Sequence, residues 1–225
     1  MQDMEMGMEM GTGLPAWLTT LSWMWIVAAV VSSGFIVRDI RNGHRQSAKA
    51  MEYVWPLAAL YLGPLAWPVY QRFGRSTDQS PAADAVRSGL PGGVSSGLAH
   101  IVAVPFVVAT GLTLFGLDMW AMVAIITVLA TGGIFLFEYV FFTKRDLRVP
   151  GFAGVRPALM IAVIAVVAFD VGMLGWMLIL HHTENMPAAG DIRFTFLMQI
   201  GLVLGTLTAL PAMRLLIARG IKPVA

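Results

Sequence analysis

The chain has 225 residues, of which 57% are hydrophobic and only 12% charged, about half the charge of an ordinary soluble domain. So few charges cannot keep a soluble fold of this length in solution, and a net charge of +2 gives no field for a polyanion. A soluble enzyme, a nucleic-acid binder and a disordered chain are thereby excluded. Cysteine is absent, which removes disulfides, thiolate metal sites and Cys nucleophiles.

The chain opens on a tail, residues 1–16, that holds five of the 15 methionines in its first ten positions. Met4, Met6, Met8 and Met10 alternate with acidic residues or glycine. Thioethers are soft ligands suited to Cu(I), and neighbouring carboxylates concentrate cations. The tail has no Lys or Arg, the opposite of a signal-peptide n-region, so the first apolar span is expected to stay as an anchor.

Five apolar stretches, 17–37, 97–117, 119–142, 157–181 and 194–217, have the roughly 20 residues that a bilayer crossing needs. Helix is the conformation open to them, since an isolated strand leaves its backbone unsatisfied in lipid. A sixth stretch, 52–70, is short and holds Pro56, Pro64 and Pro68 among five aromatics. Interior prolines break helices, and aromatics at this density suit the membrane interface.

Charge decides what this stretch does. If 52–70 crosses the membrane, the 15 Lys and Arg divide ten to five; if it leaves by the face it entered, they divide fourteen to one. The positive-inside rule favours the second arrangement. The predicted fold is all-α, a polytopic membrane helix bundle of five transmembrane helices plus one proline-broken re-entrant or interfacial helix. Residues 17–222 form a single transmembrane domain, with the tail outside and the C-terminus cytoplasmic. The stretch 71–96, rich in Ser, Gly, Pro and Ala, reads as a mobile cytoplasmic loop.

Ionisable residues inside the spans are few. Asp170 lies mid-span and is expected to face protein or water, as a proton or cation relay or as a neutral carboxyl bonded to a neighbouring helix. Glu138 and His100 are expected near cytoplasmic helix ends, where they could pair or simply reach the interface. Gln199 reads as a packing residue. Gly201 and Gly205, four apart, permit close helix approach, and Gly172 and Gly175 flatten the fourth span in the same way. There is no Ser–His–Asp set, no paired carboxylates and no phosphate loop, so no enzyme is expected.

Three blocks stand out together. They are Val54-Trp55-Pro56 running through Ala59-Leu60-Tyr61-Leu62-Gly63-Pro64, then Val171 to Met177, then Met198-Gln199-Ile200-Gly201 with the closing Arg219-Gly220-Ile221-Lys222. In that order they resemble the bacterial membrane proteins grouped as domain of unknown function 4396. The resemblance implies a polytopic bacterial inner-membrane protein of unsettled activity. Members often carry a His followed by two Cys at the start of the third hydrophobic segment. His100 stands near that position, but Ile101-Val102-Ala103-Val104-Pro105 follow it, so only the histidine carries over.

The connection after the fourth span holds His181, His182 and Met186, on the same outer side as the tail. Capture of Cu(I) by Met4, Met6, Met8 and Met10, with His181, His182 and Met186 as receiving or completing ligands, is therefore the expected function. The alternative is a non-catalytic accessory subunit of a larger membrane complex. The lipid bilayer is the expected partner, with other membrane subunits or a second copy beside it, and no nucleic acid.

Overall fold

An apolar run in lipid must satisfy its backbone internally, and this sequence does so with helices. The computed structural model describes residues 14–46, 48–75, 80–143 and 154–222. Its helices are α1 (Trp17–Arg41), α2 (Met51–Leu62), α3 (Ala66–Val69), α4 (Pro81–Thr110), α5 (Asp118–Phe137), α6 (Val155–His182) and α7 (Ile192–Ala218). Five of them, α1 and α4 to α7, are long and apolar enough to cross a membrane. The molecule is an all-α membrane bundle. The end where α1 begins is here termed upper and the other lower; the tail with Met4, Met6, Met8 and Met10 lies outside the described residues.

The sixth hydrophobic segment turns back, and α1 serves as its ruler. The Ser33 hydroxyl donates to the Pro56 carbonyl at 2.9 Å, Gly63 lies against the Trp25 ring, and Trp67 stacks near Phe35 at 5.9 Å. The Tyr70 hydroxyl then donates to Asp39 at 3.0 Å. The chain thus runs up alongside α1 to Trp25 and comes back down to Asp39. From Arg41 to Trp25 is about 24 Å at 1.5 Å per residue. The reversal is made at Gly63, with φ +61 and ψ −136, a conformation essentially restricted to glycine. Pro64 follows in a 3-10 turn, Gly63–Leu65.

The expected loop 71–96 is corrected by the structure: from Pro81 onward it is the first half of α4. The Ser80 hydroxyl accepts from the Ala83 amide at 3.2 Å and Pro81 takes the first helical position, an N-terminus built from the preferred residues. The glycines of this half are contact positions. A Cβ on Gly93 would collide with the Tyr61 hydroxyl, and one on Gly89 would come within 3.3 Å of Leu210. Small residues that signal a loop in water serve close helix packing in lipid. The second span accordingly ends at Thr110, not 117, capped by Gly111 at φ +65.

Helices α6 and α7 lie backbone to backbone. A Cβ on Gly172 would stand 2.5 Å from the Leu204 carbonyl oxygen, one on Gly205 2.7 Å from the Phe169 ring, and one on Gly201 2.5 Å from Met173 sulfur. Those three glycines pack as expected. Gly175 does not: a Cβ there meets nothing within 4 Å, because three residues after Gly172 the helix has turned that position away from the seam. One apolar cluster joins α1, the re-entrant segment and the upper halves of α6 and α7, and a second joins α4, α5, α6 and α7.

Candidate functional site

The lower end holds the pair that decides Glu138. Its carboxylate accepts from Lys222 Nζ, and both side chains are almost wholly buried, 2% and 1% exposed. Of the two readings for Glu138, a pair with His100 or a reach to the interface, neither describes it, since it is buried on Lys222. Glu138 opens a π-helical turn, Glu138–Thr143, at the foot of α5. His100 is the twentieth residue of α4, well up the bundle, because that helix starts at Pro81. A buried ion pair of this kind fastens the chain end to α5, and removing one partner leaves an uncompensated charge.

Asp170 is half-buried on α6, and the Thr127 hydroxyl of α5 donates to it at 3.4 Å. It thus faces a neighbouring helix. Two residues further, the Gly172 amide donates to the Thr208 hydroxyl at 3.2 Å.

At the upper end, His181 and His182 close α6, their rings edge to face at 5.6 Å. Met186 is partly buried against the core, as is Leu14. Asp191 caps α7: its carboxylate accepts from the Arg193 amide at 2.8 Å and from the Arg193 guanidinium at 2.9 Å. Those bonds hold the Asp191 carboxyl below the usual carboxylate range. The same guanidinium donates to the Leu14 carbonyl at 3.4 Å, which fixes the start of α1 beside the α6–α7 connection. Among the described residues no three His, Cys, Asp or Glu side chains are grouped to hold a metal.

A cavity of about 350 Å³ with polar groups in its wall lies between α2, α4 and α7, lined by Tyr61, His100, Thr195 and Gln199 among apolar neighbours. Its chemistry follows from two prolines. Pro64 has no N–H to give the Leu60 carbonyl, so α2 leaves that oxygen without its helical donor. Gln199 supplies one instead, its Nε2 donating to the Leu60 oxygen at 2.6 Å. This uses one N–H of the amide, and Gln199 Oε1 stays buried without a partner.

Pro105 on α4 likewise withholds an N–H from the Ile101 carbonyl, and both residues line the cavity. His100 Nδ1 lies 2.7 Å from the Ser96 carbonyl. A carbonyl only accepts, so Nδ1 carries the proton and Nε2, buried and unpartnered, presents a lone pair. Tyr61 is engaged elsewhere, its hydroxyl 3.3 Å from the Thr206 hydroxyl.

Gln199 and Tyr61 were readable in the sequence only as a packing residue and an interfacial aromatic, and Lys222 only as part of a terminal charge. A polar residue within an apolar span, in a chain whose segment 52–70 is broken by prolines, was the available signal for Gln199.

The family model described as Domain of unknown function (DUF4396) matches residues 83–222, more than half of the chain. The chain belongs to this family. The matched region runs from the first turn of α4 to Lys222, so it contains His100, Gln199 and both partners of the lower ion pair. No curated protein matches the chain, and no solved structure does.

Proposed function

We propose that this is a bacterial inner-membrane protein that binds a soft metal ion, Cu(I), at its upper face, with that face outside and the C-terminus in the cytoplasm. The observation that carries the reading is the bond from Arg193 to the Leu14 carbonyl. It anchors the chain beside the connection that holds His181, His182 and Met186. Met10 is four residues from that anchor, a reach of no more than about 14 Å. The tail thioethers are thereby tethered near two imidazoles and a further thioether, and tethering raises their effective concentration. Met4, Met6, Met8 and Met10 capture the ion, and His181, His182 and Met186 receive it or complete its shell. Charge supports the orientation: of the described Lys and Arg, only Arg193 stands at the upper end.

The test is Cu(I) competition against a chromophoric chelator, for the full protein and for one lacking residues 1–10. Truncation is expected to weaken binding at least tenfold, and His181→Ala with His182→Ala to weaken it less. Unchanged affinity and stoichiometry after truncation would remove the tail from the site. Absence of binding by the full chain would overturn the reading in favour of a non-catalytic subunit of a larger membrane assembly.

A further inference from the structure

The cavity between α2, α4 and α7 is separate from the upper face and needs its own occupant. Four polar side chains line it, Tyr61, His100, Thr195 and Gln199, and of these His100 and Gln199 are each only 9% exposed and each carry one unpartnered atom. His100 gives its one N–H to the Ser96 carbonyl, and Gln199 gives one of its two to the Leu60 carbonyl. The atoms left without a partner are both acceptors, an imidazole lone pair and an amide oxygen. A buried acceptor calls for a donor. An occupant that brings only carbonyl oxygens would leave both of these atoms unsatisfied.

The rest of the cavity selects for an apolar body. Apart from the polar groups, its lining is mainly Leu, Ile, Val and Met side chains with Phe194. Leu98 and Ile101, on its α4 wall, are 49% and 70% exposed on a membrane-spanning helix. They stand at the cavity's edge on the outward face of that helix, the face that meets acyl chains in a bilayer. The volume, about 350 Å³, lies at the lower end of the range that holds a small ligand.

We propose that this cavity binds a membrane-soluble molecule through a hydroxyl group, which donates its one proton to His100 Nε2 or Gln199 Oε1 while the apolar remainder trails into the bilayer. Two sources share that chemistry, a hydroquinone with an alkyl tail and a long-chain aliphatic alcohol. Binding alone is proposed, with no electron transfer.

The experiment uses the full chain in nanodiscs, kept anaerobic, with three probes: a decyl hydroquinone, the corresponding decyl quinone and dodecanol. The hydroquinone and quinone share ring and tail and differ in whether they donate. The expected result is at least tenfold tighter binding of the hydroquinone than of the quinone. His100→Phe, which keeps a ring and removes the lone pair, is expected to reduce that ratio severalfold. Gly97→Ala places a methyl in the cavity at an ordinary 3.6 Å from Leu202, so it should fold and weaken both ring probes. Dodecanol binding as tightly as the hydroquinone would support the site and assign it to aliphatic alcohols; a clear preference for the hydroquinone would assign it to aromatic ones. Equal affinity for hydroquinone and quinone, or no binding of any probe, would overturn the proposal. The comparison is made on the unaltered protein, so it stands even if a variant fails to fold.

Discussion

Helix α7 takes part in two contacts that solve opposite problems. Against α6 it presents Gly201 and Gly205, the backbones close to contact, and space vanishes from the seam. Against the re-entrant segment it presents Gln199, whose amide repairs a carbonyl that Pro64 leaves open, and a cavity remains beside it. Glycine in a lipid-embedded helix removes distance without changing the hydrogen-bond ladder. Proline removes a donor, and in a medium without water the donor must come from another side chain. The contact with the re-entrant segment therefore keeps an unpartnered acceptor beside its cavity, whereas in the seam the Gly172 amide and the Thr208 hydroxyl satisfy each other. Three substitutions separate the two kinds of contact.

The largest effect is expected at the reversal of the re-entrant segment. Gly63→Ala would force a Cβ into the Trp25 ring and require a residue with a side chain to hold φ +61, ψ −136. Strain and overpacking together should cost roughly 3 kcal/mol. Denaturation in mixed micelles should show that loss, and Gly63→Ala should also abolish the selective hydroquinone binding proposed above, since α2 forms one cavity wall. Wild-type stability in Gly63→Ala would mean that the turn does not hold the segment.

The seam gives an internal control. Gly172→Ala would press a methyl against the Leu204 carbonyl and should destabilise the bundle by about 2 kcal/mol. Gly175→Ala, three residues on and facing open space, should be neutral or stabilise by about 0.5–1 kcal/mol through helix propensity. Opposite signs from two glycines of one helix would locate the seam; equal effects would contradict it.

The spans themselves were legible because each apolar run is contiguous, and the re-entrant segment because its prolines and the distribution of Lys and Arg agree. The first half of α4 was not legible. Its Gly, Ser and Pro mean a loop in water and a packing face in lipid, and only a neighbour such as Tyr61 distinguishes the two. Glu138 with Lys222 and Gln199 with Leu60 are 84 and 139 residues apart in sequence. Neither partner carries a local pattern that names the other. Asp170 was legible in kind, as a carboxyl facing protein, but not in partner: Thr127 was one of several threonines at comparable depth.

A smaller loss than at Gly63 or Gly172 is expected at the upper end, where Asp191 joins the cap of α7 to the start of α1 through Arg193. Asp191→Ala removes the side-chain acceptor for the Arg193 amide and should cost about 1 kcal/mol, the usual value of an N-cap. Asp191→Asn keeps a capping oxygen and loses the charge, so it isolates the ionic part. The sign follows from the depressed carboxyl. A group bound more tightly as an anion in the fold contributes stability above the ordinary carboxylate range, and loses it as pH falls through its own lower value. Melting curves between about pH 6 and pH 3 should therefore show wild type above Asp191→Asn at the higher pH and the two converging as pH drops. The gap should shrink with salt, because the pair is solvent-exposed. A gap that widened on acidification would mean that Asp191 is not held as an anion by Arg193, and the anchoring of Leu14 beside the α6–α7 connection would then need another cause.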